Sequence, residues 1–212
     1  MDIKFDPYHI GIKFQLFFVV SAFINKMLPR LKKSGYKVNL DISLPSSSVS
    51  PQPYRKIAEK DSVRLELNLA ANSINVVSEN PAKSIKVFKE IIDLVESEDY
   101  KLDKVIEFIE VIVNTHVATK SKPAELLSKK VLFDFSDISG GLELSPHSIK
   151  YSNYLDESAK DKFAEFTIQP NLANPDKLFM SMVCRRKSKD EIITFTNGIK
   201  KNIGQFIKKL EG

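Results

Sequence analysis

Cysteine is nearly missing from this chain: Cys184 stands alone among 212 residues. A single thiol rules out an internal disulfide framework, so nothing points to a secreted, stapled scaffold. Tryptophan is absent and glycine occurs only seven times, which argues against a propeller, a collagen-like chain or a glycine-rich nucleotide fold. Long hydrophobic runs are lacking as well. The most apolar run, Leu16 to Ile24, is nine residues long, well short of the roughly 20 that span a bilayer. The N-terminal MDIKFDPYH carries acids and offers neither a basic leader region nor a small-residue cleavage site, so no signal peptide is expected. The expectation is a cytoplasmic protein with no membrane partner.

What is present is an ordinary globular composition, 42% hydrophobic and 28% charged, with enough chain to bury a core. The net charge of +5 and pI near 9.1 are mildly basic. Such a balance suits nucleic acid, an acidic protein partner, or neither.

Ile10, Ile12, Phe14, Leu16, Phe18 and Val20 alternate with other residues, predicting a long first strand. The apolar Phe17 and Val19 on its other face predict that its far end is buried. Ile24, Met27, Leu28 and Leu31 then follow helical spacing, with Ser21 as a candidate N-cap, a kink or early stop at Pro29, and Gly35 as the terminator. Val38, Leu40 and Ile42 predict a strand, and the proline- and serine-rich stretch 45–53 predicts a solvated loop. Val63, Leu65, Leu67 and Leu69 alternate as a half-buried strand. Asn80-Pro81 opens a helix with Ile85, Phe88, Ile91, Ile92 and Val95 on one face. It ends in the acidic Glu96-Ser97-Glu98-Asp99, where the first half of the chain closes.

The second half repeats the theme. Val105 to Val117 suits either a helix or, with its β-branched residues, a strand, and its overlay on the first strand at a shift of 93 decides for the strand. A short helix follows from Pro123 to Lys130, then strand-like runs at Lys130–Ser136, Leu142–Tyr151 and Phe163–Gln169, with turns at Gly140-Gly141 and Asn174-Pro175. Leu178, Met180, Met182 and Cys184 alternate. Ser188-Lys189-Asp190-Glu191 reads as a capping box for a helix from about 189 to 211. Its apolar stripe is Ile192, Phe195, Ile199, Ile203, Phe206, Ile207 and Leu210. Residues 12–43 overlay 105–136 at a shift of 93, and Val63–Leu69 overlays Leu178–Cys184 at a shift of 115. The expectation is a tandem duplication: a half at 1–97 and a half at 98–212, the latter with a strand-rich insertion at 137–177, packed as one pseudo-symmetric unit.

Each half therefore reads β-α-β-β-(β)-α, which predicts an α+β fold of mainly antiparallel sheet with helices on one face. The order of elements resembles the pseudo-symmetric saddle of the TATA-binding-protein fold. That resemblance covers the order alone and no sequence motif, and a fold does not fix a function.

Chemistry is sparse. Asp41 and Asp134 occupy matching places in a Lys-Val-x-x-Asp-x-Ser pattern, and paired carboxylates could hold a metal or divide acid and base roles. On alternating strands they are equally well read as solvated outward residues. His9, His116 and His147 lie far apart with no ligand spacing. Cys184 sits on the apolar side of its strand, as a structural thiol does. No hydrolase, zincin, Walker or dinucleotide motif occurs. Nothing supports an enzyme, and no cofactor is implied.

The basic C-terminal segment is the one charge signal. From Lys177 to Gly212 there are nine Lys or Arg against three acids, whereas residues 55–110 hold nine basic and twelve acidic residues. Arg185, Arg186, Lys187, Lys200 and Lys208 are the nucleic-acid-binding candidates. No aromatic residues interleave with them as stacking platforms would require. The leading expectation is a non-catalytic intracellular binding or assembly protein that presents a sheet surface to a protein partner or to a second copy of itself. A nucleic-acid binder using the basic C-terminal half is the alternative, and an enzyme with a site between the halves is third.

Overall fold

The computed structural model describes residues 3–39, 54–129, 147–153 and 160–212. Strands β1 (Ile3–Phe5) and β2 (Tyr8–Phe14) lead into helix α1 (Val20–Lys33). Strands β3 (Lys37–Val38), β4 (Arg55–Lys60), β5 (Val63–Asn68) and β6 (Ser73–Ser78) follow, and then helix α2 (Pro81–Glu96). The second half opens with the short α3 (Leu102–Val105) and the long β7 (Ile106–Ala118), followed by α4 (Pro123–Ser128). It continues with β8 (Ile149–Ser152), β9 (Ala164–Pro170) and β10 (Lys177–Arg186), and ends in α5 (Lys189–Glu211).

The ten strands among the described residues form a single sheet in the order β3-β4-β5-β6-β2-β7-β10-β9-β8, with β1 paired to the far end of β7. Every pairing is antiparallel. The fold is α+β, and the helices lie on one face of the sheet. Strict alternation explains why. Tyr8, Ile10, Ile12 and Phe14 of β2, and Leu178, Met180, Met182 and Cys184 of β10, all point into the same core. There they meet Phe88, Ile91, Ile92 and Val95 of α2 and Ile199, Ile203 and Ile207 of α5. A strand whose residues alternate commits one face to burial and leaves the other open.

The two best-specified helices form as their ends prescribe. The Asn80 side chain accepts the Lys83 N–H with Pro81 in the first turn, and Ser188 Oγ accepts the Glu191 N–H of α5. Gly35, at φ +85°, stops α1 by letting the Tyr36 N–H reach back to the Leu31 carbonyl, a turn that an L side chain resists.

Four expectations need correction. The first strand stops at Phe14 instead of running to Val20, and α1 has Val19, with no side-chain cap, in place of Ser21. The cause lies elsewhere in the chain: Asn72 Nδ2 donates to the carbonyls of Phe14, Gln15 and Phe18 at 3.3, 2.9 and 3.0 Å and so folds the segment into a turn. Leu16, Phe17 and Val19 consequently stand exposed, Leu16 by 88%, instead of buried. Pro29 does not end α1, which continues through it to Lys33.

The third correction concerns register. β5 lies between β4 and β6, whereas β10 lies between β7 and β9, so Val63–Leu69 and Leu178–Cys184 occupy non-equivalent places. β6 and β10 are the strands that each flank a long first strand and run into a final helix. The shift of 93 fails with it, because it overlays the Gln15–Val19 turn on strand β7. Fourth, Phe206 is only half-buried, packed edge-on against Phe166 at 5.1 Å between ring centres. Asp41, Asp134, the whole 45–53 loop and the Gly140-Gly141 turn lie outside the described residues.

Candidate functional site

The open face of the sheet is where described side chains of several strands converge without a helix over them. Its centre is the β2–β7 seam, where Ile10 pairs with Val111 on the core side and Gly11 pairs with Glu110 on the open side. Gly11 leaves a depression there. His9 and Lys13 flank it on β2, Asn75 and Ser73 border it on β6, and Phe108, Glu110 and Ile112 on β7. With Tyr54, Asn68 and Ala71 these residues line a pocket of about 230 Å³.

The electrostatics of this face come from cross-strand pairs. Arg185 Nε donates to Glu110 Oε2 at 2.5 Å, Lys150 Nζ lies 2.8 Å from Glu165, and Arg64 Nε lies 3.4 Å from Glu66 on the same strand. The Arg185 guanidinium also sits 4.8 Å from the ring centres of both Phe108 and Phe163. At these three places cation and carboxylate offset each other, which works against the continuous positive field that a polyanion requires. Between the pairs lie half-buried apolar groups. Ile112 faces Val183 across the β7–β10 ladder, and Phe179 lies 5.3 Å from the His116 ring. Burial holds His9 below the usual imidazole range, a shift that Glu66 opposes and Arg64 reinforces. The Lys13 ammonium donates to the Ala71 carbonyl. Asn75 Nδ2 is buried and has no hydrogen-bond partner among the described residues.

The sequence candidates do not come together. Arg185 faces the open side and is taken up by Glu110 and two rings. Arg186, next along β10, turns the other way and donates to the carbonyls of Phe163 and Arg185 at 3.2 and 2.6 Å. Lys187 is exposed in the turn before α5, and Lys200 and Lys208 are exposed on that helix, in the layer on the opposite side of the sheet. Alternation at Arg185-Arg186 separates what sequence adjacency joined. Cys184 is buried in the core, where desolvation raises its thiol pKa. Among the described residues no group of three or more His, Cys, Asp and Glu could hold a metal ion. Among the described residues no helix is long and apolar enough to cross a membrane.

The pocket was missed by reasoning from sequence. One signal was available: Gly11 interrupts an otherwise β-prone run, and a glycine inside a strand often marks the close approach of another group.

No family model and no curated protein matches this chain. Among solved structures, the chain is similar to "Methanococcus jannaschii TBP", with 11% identity, coverage of 99% of this chain and 98% of that one, and a TM-score of 0.35. At that identity and score, nothing about the function of this chain follows from the likeness.

Proposed function

We propose that the protein is a non-catalytic binding protein that offers the open face of its sheet to a protein partner. The observation that carries this reading is the pairing of charges on that face around apolar groups. Its Arg185, Lys150 and Arg64 side chains are each paired with a carboxylate, and Ile112, Val183, Phe108 and Phe179 supply apolar contact between them. Aromatic groups and Arg are enriched at the cores of protein interfaces, whereas nucleic-acid surfaces are dominated by unmatched cations. The halves 1–97 and 98–212 are proposed as repeats that meet at the β2–β7 seam, which makes the face continuous across both.

The nucleic-acid alternative rests on Lys187, Lys200 and Lys208, exposed on the helix side. One experiment separates the two surfaces. The wild-type chain, an Ile112→Lys/Val183→Glu variant and a Lys200→Glu/Lys208→Glu variant are used for affinity capture from a lysate of the source cells. Each is also titrated with single- and double-stranded DNA and RNA by fluorescence anisotropy. A protein retained by wild type and by the helix-side variant but lost by the open-face variant supports the proposal. Nucleic-acid binding that is lost only in the helix-side variant, with no such protein retained, would overturn it.

A further inference from the structure

We infer that the pocket over Gly11 binds a small monocarboxylate with an apolar body, its carboxylate seated on Lys13, Ser73 and Asn68. The sheet register brings these donors together. Lys13 of β2 pairs with Ser73 of β6, and Ser73 pairs in turn with Asn68 of β5. The side chains therefore form one row across the open face, and all of them line the pocket. Asn68 Oδ1 accepts the Ala71 N–H at 2.8 Å, which leaves the amide Nδ2 as a donor. The Lys13 ammonium donates once to the Ala71 carbonyl and keeps its other N–H groups for a ligand. A carbonyl does not cancel its charge, and the ion pairs of this face, Arg185–Glu110, Lys150–Glu165 and Arg64–Glu66, do not include it.

The next row makes room for the body of the ligand. Gly11 lies there between Glu110 and Asn75, and a Cβ on it would come 2.7 Å from Asn75 Oδ1, so glycine keeps the floor low. Phe108, Tyr54 and Ile112 supply an aromatic and aliphatic wall. The volume of about 230 Å³ exceeds the roughly 150 Å³ that suffices for benzene. Charge then selects the ligand. An uncharged molecule would cover the Lys13 ammonium without replacing its water, and an unpaired charge opposes burial. A cation would be repelled by Lys13, and Glu110, the carboxylate that could receive it, is already paired with Arg185 at 2.5 Å. The same pairing offsets the repulsion that Glu110 would exert on an anion. Phosphate is best held by several charged donors, and it has no apolar body to cover the wall. One carboxylate matches one ammonium and two neutral donors. This inference does not rest on the protein-partner reading, since every lining residue belongs to the one chain.

The test uses the full chain, with benzoate as the probe and benzamide, benzylamine and inorganic phosphate as comparators. Binding is followed by amide chemical shifts and calorimetry at low salt. Benzoate is expected to bind with Kd under about 1 mM and to shift the resonances of Gly11, Ser73 and Ile112. Benzamide has the same shape without the charge and is expected to bind at least about tenfold more weakly, as are benzylamine and phosphate. Lys13→Met keeps the apolar stem and removes the ammonium. It is expected to weaken benzoate at least about tenfold and to erase the preference over benzamide, while Tyr151→Ala, at the far edge of the sheet, changes neither. The comparison of benzoate with benzamide on the wild-type chain decides the matter even if Lys13→Met does not fold. Absence of benzoate binding overturns the inference. So does benzamide, benzylamine or phosphate binding as tightly as benzoate, or benzoate affinity that survives Lys13→Met.

Discussion

Arg185 and Glu110 lie directly opposite each other on β10 and β7, and their side chains close a 2.5 Å ion pair on the open face of the sheet. Read from sequence, Arg185 is a nucleic-acid-binding candidate. In the structure it is a cross-strand tie clamped between Phe108 and Phe163. Arg185→Ala is therefore expected to destabilise by about 1–2 kcal/mol, combining a partly exposed pair with two cation–π contacts. Lys187→Ala, in the exposed turn, is expected to stay within about 0.5 kcal/mol of wild type. Urea denaturation of both variants decides the matter, and equal midpoints would show that the pair contributes nothing.

Asn72 carries two loads. It holds φ +48° and its amide gathers three carbonyls from the turn between β2 and α1. Asn72→Ala should cost about 2–3 kcal/mol, from lost hydrogen bonds and from left-handed strain. Asn72→Gly should recover about 1 kcal/mol of that loss, because glycine adopts the backbone conformation without strain. If the two variants are equally stable, the strain component is absent.

The two final helices differ in what their phenylalanines bury. Phe88 is fully enclosed, whereas Phe206 is half-buried against Phe166. Phe88→Ala is expected to cost about 3–5 kcal/mol and Phe206→Ala about 1–2 kcal/mol. Equal losses in chemical denaturation would contradict this difference in packing.

His9 gives the protein an acid sensitivity with a definite sign. Its pKa in the folded chain is lowered from 6.5, chiefly by burial, so below that value the unfolded chain binds more protons than the folded one. Stability is fully present above the unfolded pKa and falls as pH drops toward the folded pKa. Between pH of about 7.5 and about 5.5, wild type should lose more stability than His9→Gln. An identical pH dependence in the two proteins, measured by urea midpoints, would remove His9 from this role.

The segments on either side of the α2–α3 connection share one sheet through β2 and β7 and one continuous core, and are proposed as halves of a repeat. Thermal and urea unfolding are expected to be a single transition, with fluorescence and circular dichroism coincident. The fragment 1–97 alone would expose the β2 edge and is expected to aggregate or remain unfolded. A stable, monomeric fragment would show that the halves are separate folding units.

Local patterns determined most of the secondary structure, because the interactions that write them are local. The Asn80-Pro81 start, the Ser188 cap and the Gly35 stop depend on backbone groups within one turn of the helix, and the alternation along Leu178–Cys184 predicted the buried side of β10 correctly. The fold class followed from the order of such elements. Tertiary structure alone decided where the first strand ends, since the group that turns the chain at Gln15 is Asn72, far away in sequence. It also decided which strands are counterparts, because sheet order depends on partners that periodicity does not encode: Val63–Leu69 and Leu178–Cys184 share a pattern and occupy different places. The site followed the same rule. A pocket over Gly11 needs Asn75 and Glu110 on either side, and an arginine becomes a sheet tie only when a glutamate lies opposite it. Spacing along a chain specifies which face a residue takes, and pairing between strands specifies what it meets there.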